Sequence, residues 1–206
     1  MPRESTRQRI LTEALHLFAA HGYAAVTVEQ IAAAVGIKAP SLYKHYKSKR
    51  DIFDHIVRRM SELDLEQAQA YGMPEGTLEE TADAYRDVPL EKIRVYTKAM
   101  FLHWTAEPFS ADFRRLLTLE QYRDPGMARL YQQYLASGPL DYMTDVFRSV
   151  AGSEAAARQL ALAFYGPMFL LYSVYDAAGD TDAALTALDR HIDRFAAQLA
   201  AENGKI

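Results

Sequence analysis

Residues 27–49 read TVEQIAAAVGIKAPSLYKHYKSK, and the order of residue types in this stretch decides the fold. Thr27 is an N-cap residue, and Gln30, three positions on, can reach back to close a capping box. Val28, Ile31, Ala32 and Val35 then recur on one face of a 3.6-residue period. Gly36 supplies the left-handed backbone that ends such a helix. Ala32, four residues before the glycine, is small enough for a second helix to cross closely. Pro40 suits the first turn of that second helix, where its missing N–H costs nothing, so the spacing predicts a helix from about Ala39 to Tyr46. Leu42 points inward there, leaving Ser41, Tyr43, Lys44 and His45 on other faces. Ser48 and Asp51 cap a further helix, with Lys49 in its first turn. A lysine is a poor partner for a helix N-terminus and makes sense beside a phosphate. Two short helices around a tight glycine turn, the second basic and aromatic, are the sequence form of a helix-turn-helix.

Working outward, Ser5 to His21 is one amphipathic helix, with Ile10, Ala14, Leu17 and Phe18 on its apolar stripe and Gly22 at its end. It completes a three-helix head, and Arg3, Arg7 and Arg9 at its beginning are candidates for phosphate. On the other side a long helix from about Ser48 to Ala70 carries Ile52, Phe53, Ile56, Met60 and Leu63 at helical spacing. At 1.5 Å per residue it extends over roughly 30 Å, enough to act as a lever between head and body. Gly72, Pro74 and Gly76 then break the pattern.

The block Gly22-Tyr23, Thr27-Val28, Ile31-Ala32, Val35-Gly36, Leu42-Tyr43, His45-Tyr46 and Ser48-Lys49 resembles the DNA-binding domain of TetR-type bacterial transcriptional regulators. The resemblance covers about the first quarter of the chain and implies an all-α homodimer. It has an N-terminal three-helix helix-turn-helix DNA-binding domain, residues 1–58, and a larger C-terminal helical ligand-binding and dimerisation domain, residues 59–206. It places Ala39, Pro40, Ser41, Tyr43, Lys44 and His45 at the recognition positions facing DNA, and Thr27 and Lys49 at positions that hold phosphate. Their chemistry fits: Lys44 can donate to guanine O6 or N7, Ala39 and Pro40 can meet a thymine methyl, and Tyr43 can donate to phosphate. Lys44 departs from the aromatic residue or histidine often found at its position in the family.

Composition agrees. Half of the 206 residues are apolar, enough for a real core, and there is no cysteine for a disulfide, a thiolate metal site or a thiol nucleophile. No apolar run approaching the ~18 residues of a membrane span stands out, and the first residues lack the apolar core of a signal peptide, so a cytoplasmic protein is expected. The net charge of −4 divides unevenly. Residues 1–60 hold ten Lys or Arg against five Asp or Glu, a net +5, while residues 61–206 hold thirteen against twenty-two, a net −9. A basic head on an acidic body directs a phosphate backbone to one end of the chain.

The body reads as further helices, about ten in the whole chain. Thr77 and Glu80 cap one to about Asp87; Pro89 begins one to Ala106; Pro108 and Ser110 introduce one to Tyr122; Asp124-Pro125 begins one to Ala136. Gly138-Pro139 opens another to Ala151, Ser153 caps a long one to about Ala177, and the last ends near Ala201. On the last two, Leu160, Phe164, Leu171, Leu188, Ile192 and Phe195 are candidates for a dimer seam. The body also holds ten of the thirteen tyrosines and the only tryptophan. Tyr96, Met100, His103, Trp104, Leu116, Glu120, Phe164 and Met168 are candidates for a small-molecule pocket, apolar walls with a few polar groups.

These features predict a regulator, a repressor by preference, that binds a pseudo-palindromic double-stranded operator as a homodimer and is released by a small organic effector. No cofactor, no metal, no catalysis and no membrane are expected. Two alternatives stand beside it. One is a DNA-binding regulator without small-molecule response. The other is a helical carboxylate-bundle metalloenzyme, suggested by the Glu-x-x-His step of Glu13 and His16, although such sites need a second step and further glutamates.

Overall fold

A computed structural model describes residues 5–73, 89–148 and 150–203. It contains ten α-helices and no strand among the described residues. In chain order they are α1 Thr6–His21, α2 Val28–Val35, α3 Ala39–Leu42, α4 Lys49–Ala70 and α5 Leu90–Thr105, then α6 Pro108–Glu120, α7 Pro125–Leu135, α8 Ser137–Arg148, α9 Glu154–Ala178 and α10 Thr181–Asn203. The helix expected from Thr77 to Asp87 lies outside the described residues.

Local chemistry sets most of the boundaries. The expected capping box closes at α2, where the Thr27 hydroxyl accepts from the Gln30 N–H and the Gln30 side chain returns to Thr27, and a second box, which the sequence reading did not name, closes in the same way between Ser5 and Gln8 at α1. At Gly36 (φ 76°, ψ 32°) the chain makes a Schellman stop, with Gly36 N–H donating to Ala33 C=O and Ile37 N–H to Ala32 C=O. The Ser48 hydroxyl caps α4 by accepting from Asp51 N–H, and the Asp51 carboxylate takes Lys47 N–H at 2.7 Å.

Three boundaries differ from the sequence reading. Recognition helix α3 stops at Leu42, because the next peptides tighten into i→i+3 bonds (Lys44 N–H to Ser41 C=O, His45 N–H to Leu42 C=O). Buried Tyr46 anchors that turn through its hydroxyl, which donates to Arg7 C=O. Helix α6 ends at Glu120, two residues early. Helix α8 opens at Ser137 and closes at Arg148; a Cβ at Gly138 would run into the Gln133 carbonyl, so only glycine fits the corner between α7 and α8.

The chain divides into two units. The first runs to Glu66 and also takes in Glu107–Tyr131; the second holds Gln67–Ala106 and the chain from Gln132 onward. The break thus falls inside α4 at Glu66, later than the boundary near residue 58 drawn from sequence, and α6 with most of α7 groups with the head. The first unit packs α1 against α2 and α6, and α2 against α3. Ile10, Leu15, Phe18, Ile31, Leu42, Ile52, Phe113 and Leu116 are fully buried in its core. On α1 the buried stripe includes Leu11 and Leu15, with Leu17 only half-buried.

In the second unit α9 packs against α8, α10 and α5, and α10 also meets α5. Phe101 stacks on Tyr172 with ring centroids 5.6 Å apart, and Phe147, Phe164 and Phe195 form an aromatic cluster between α8, α9 and α10. Pro167 sits inside α9 and removes the N–H that would serve the Ala163 carbonyl. His191 Nε2 donates to the adjacent Phe164 carbonyl at 2.8 Å, supporting this weakened turn from α10. By length and composition α9 is also apolar enough to cross a membrane, which the sequence reading did not pick out.

Candidate nucleic-acid interface

Helix α3 packs against α2 and has one fully buried residue, Leu42. With Leu42 inward, Pro40, Tyr43, Lys44 and His45 are exposed, and Ala39 and Ser41 are half-buried at the edge. The candidates from Ala39 to His45 therefore share one surface. Three lysines surround it: Lys38 before α3, Lys44 after it and Lys47 before α4. Among the described residues none of them makes an ion pair or a hydrogen bond through its side chain. Neither Tyr43, half of whose surface is exposed, nor His45 has a side-chain partner there. Unpaired cations held beside a short helix that offers a phenol, an imidazole and small apolar groups can meet phosphates and base edges together. Lys38 and Lys47 were missed from sequence, although their spacing around Lys44 on either side of α3 was a usable signal.

Thr27 is exposed at the N-terminus of α2. Its oxygen accepts the Gln30 N–H at 3.3 Å and its backbone N–H is held by Gln30 Oε1 at 2.7 Å, which leaves the hydroxyl proton to donate outward.

Other cations of the head turn inward. Lys49 Nζ donates to three backbone carbonyls of the α1–α2 turn: Tyr23 and Val26 at 2.8 Å and Ala24 at 3.3 Å. It also lies 4.6 Å from the centre of the Tyr23 ring. An ammonium has three donors, and three carbonyls use them. The cation that looked out of place at a helix N-terminus is thus stabilised from within the protein, without a phosphate. Arg9 donates to the Val35 carbonyl at the end of α2, and Arg7 donates to His55 Nε2 and covers the Tyr46 ring. Arg3 lies outside the described residues. Burial raises the phenol pKa of both Tyr23 and Tyr46, against the opposing pull of Arg50 and Arg7 respectively, so both rings stay neutral donors.

The Tyr23 peptide is held on its other side as well. Glu120, the last residue of α6 and itself buried, accepts Tyr23 N–H through Oε1 at 3.2 Å, with Arg123 at 3.4 Å from the same oxygen. Glu120 had been a pocket candidate; its carboxylate is occupied within the first unit, where Leu116 is fully buried too. The remaining pocket candidates lie in the second unit, on α5 and α9. His103, Trp104, Phe164 and Met168 are buried, while Tyr96 and Met100 are half-buried. Tyr96 meets Tyr71, Trp104 meets His103 and Tyr134, and Phe164 belongs to the cluster with Phe147 and Phe195.

Of the dimer candidates, Phe164, Leu188 and Ile192 are buried inside their own unit, and Leu160, Leu171 and Phe195 are half-buried. Half of that set is thus part of the intramolecular core. On α9 itself the exposed apolar side chains are Leu162, Phe169, Leu170 and Val174, at 44%, 37%, 64% and 51%. His16 Nδ1 pairs with a single acid, Asp112 on α6, at 3.0 Å. Among the described residues no group of three or more His, Asp or Glu could hold a metal ion.

Residues 10–56 match the family model described as bacterial regulatory proteins, tetR family. The chain is 38% identical over 82 residues to the HTH-type transcriptional regulator AcrR of Shigella flexneri, covering 37% of this chain and 38% of that protein. To TcmR of Streptomyces glaucescens it is 34% identical over 83 residues, 40% of this chain and 37% of that protein. The match therefore spans less than two fifths of either relative. Solved structures extend the likeness in fold. A TetR-like regulator from Rhodococcus sp. RHA1 superposes with TM-score 0.66 at 19% identity over 96% of this chain and 98% of that one. The SmeT–triclosan complex superposes with TM-score 0.61 at 20% identity over 93% and 91%. Residues 10–56 thus carry the match to the tetR family of bacterial regulatory proteins, and the chain as a whole has the helical fold of TetR-like regulators.

Proposed function

We propose that this protein is a ligand-responsive transcriptional regulator, acting as a repressor, that binds a pseudo-palindromic operator as a homodimer and performs no catalysis. The observation that carries the reading is the exposed surface from Ala39 to His45, with Lys44 in it and Lys38 and Lys47 beside it, none of which has a side-chain partner among the described residues. Thr27 donates to phosphate from the start of α2, and Lys44 reads a base edge. A protein with this work operates where the chromosome is, in the cytoplasm.

The second copy covers the outer face of α9. An apolar strip of this kind needs a partner, and two-fold half-sites about one helical turn apart need two reading heads. The effector is a small, largely apolar organic molecule held between α5 and α9, with Tyr96, Met100, His103, Trp104, Phe164 and Met168 around it. SmeT, similar in fold, is described in complex with triclosan, which supports an effector of that size and polarity. Its binding would lower operator affinity by its preference for the protein geometry that DNA does not select.

Selection from a random duplex library tests the first part: a sequence with two related half-sites is expected, and no enrichment would sink the operator reading. On the selected site, Lys44→Ala is expected to relax preference at one base pair per half-site, worth about 1–3 kcal/mol of discrimination. Thermal shifts across small apolar aromatics, followed by release of the labelled operator, test the effector.

A further inference from the structure

We propose that Lys49 is a positioning residue of the DNA-binding surface, its ammonium locking the α1–α2 turn so that α2 presents Thr27 correctly, and that it does not itself pair with phosphate. This rests on the DNA-binding reading above and assigns Lys49 a different role from the phosphate contact that the family resemblance implies.

The geometry is specific. Tyr23, Ala24 and Val26 belong to the four-residue turn between Gly22 and the Thr27 cap, and their carbonyls converge on Nζ at 2.8, 3.3 and 2.8 Å. The same lysine begins α4, whose Ile52, Phe53 and Ile56 are buried in the head. Lys49 therefore ties the start of α4 to the turn that leads into α2. The ring of Tyr23 completes the cradle: it lies under the ammonium at 4.6 Å and is packed between Phe18 at 5.0 Å and Phe53 at 5.5 Å. Tyr23 N–H is taken by Glu120, so its peptide is fixed at both ends. The next residue past this turn is Thr27, whose hydroxyl proton is the outward donor. A phosphate would have to draw the ammonium off three carbonyls, leaving polar groups without their partner in a half-buried place.

An arginine cannot repeat this arrangement. Three carbonyls converging on one point suit a compact ammonium with three donors, whereas a guanidinium is a planar fork made for carboxylate and phosphate. The two roles consequently separate in their salt dependence. A cation that neutralises a phosphate releases counterions and contributes about 0.9 to the slope of log K against log salt. Thr27 is neutral, so misplacing it lowers affinity without changing the slope.

The test uses the full-length protein and a fluorescein-labelled duplex of random sequence, titrated across a salt series, with Lys49→Met, Lys49→Arg and Thr27→Ala compared with wild type. Helix content and melting temperature are followed in parallel, so that affinities are taken where every variant is folded. The expected result is that Lys49→Met and Lys49→Arg both bind about five- to tenfold more weakly, as Thr27→Ala does, with the wild-type salt slope. A slope reduced by about one in Lys49→Met, with affinity restored by Lys49→Arg, would overturn the proposal in favour of a direct phosphate contact. A lowered melting temperature with unchanged affinity would overturn it in favour of a purely structural lysine. Failure of the wild type to bind the duplex at all would instead remove the DNA-binding reading beneath it.

Discussion

Two glycines of the head show how differently the same residue type can be required. Gly36 is left-handed at φ 76° and ψ 32°, and a Cβ built there meets nothing within 4 Å. Alanine should cost only the backbone term, about 1 kcal/mol. Gly22, at φ 85° and ψ 149°, occupies a region that essentially only glycine visits, and its Cβ would stand 2.7 Å from Glu120 Oε1. Gly22→Ala should therefore cost more, about 2–4 kcal/mol, by straining the backbone and displacing the carboxylate that holds Tyr23 N–H. Urea denaturation of both variants checks the order; equal losses would mean that Glu120 moves aside freely. The need for Gly36 was readable in sequence because everything that demands it lies within five residues. Half the need for Gly22 was not, since Glu120 is ninety-eight positions away and a glutamate in an apolar stripe looks the same whether it awaits a ligand or a peptide N–H. The setting of Lys49 was hidden for the same reason: its position in a helix is local information, and the carbonyls around it are not.

Helix starts were well specified by capping chemistry: the box at Thr27 formed as its spacing dictated, and the Ser5–Gln8 spacing carried the same signal unread. Helix faces were less so. Helix α9 is apolar around much of its circumference, so no period in the sequence tells whether Phe164 or Leu170 faces in; packing against α8, α5 and α10 decides it. The α5–α10 contact shows a polar counterpart. Lys98 Nζ reaches Asp189 Oδ2 at 2.8 Å, and Arg94 lies 3.5 Å from Oδ1 while also pairing with Asp193. The Lys98 ammonium, helped by Arg94 and opposed by burial, holds the Asp189 carboxyl below its ordinary value. A carboxyl that titrates lower in the folded chain than its unfolded value of about 3.9 stabilises fully above that value. The stabilisation is lost as pH falls through the folded pKa. Because the pair is a third exposed, Asp189→Asn should cost only about 0.5–1 kcal/mol near pH 7, with the difference shrinking at acid pH as the carboxyl takes up its proton. Urea titrations at neutral and acid pH measure it, and a loss that persists in acid would assign the effect to packing instead of charge.

Under the proposed function, a basic first segment and an acidic remainder suit a molecule that delivers two reading heads to one duplex, and the exposed strip on α9 is assigned to the second copy. Leu162, Phe169, Leu170 and Val174 recur at seven-, eight- and four-residue intervals, so they lie along one side of a 25-residue helix whose other side carries the core of its unit. If a second copy covers this side, a carboxylate at Leu170 would be buried twice across the two-fold axis, facing its own symmetry mate, at a cost of several kcal/mol. Leu170→Asp is thus expected to sediment as a monomer while keeping a cooperative melt, because Leu170 is 64% exposed and contributes little to the core. Ile192→Ala is the opposite case: a fully buried side chain whose truncation costs about 2–4 kcal/mol of stability and leaves the association state alone. DNA reads the same distinction. The monomeric variant should keep wild-type affinity for an isolated half-site and lose its advantage on the two-fold site, where the linked second head no longer rebinds at high effective concentration. A Leu170→Asp protein that stays dimeric would place the seam elsewhere, and vesicle co-sedimentation of the wild type would then ask whether a membrane surface covers α9.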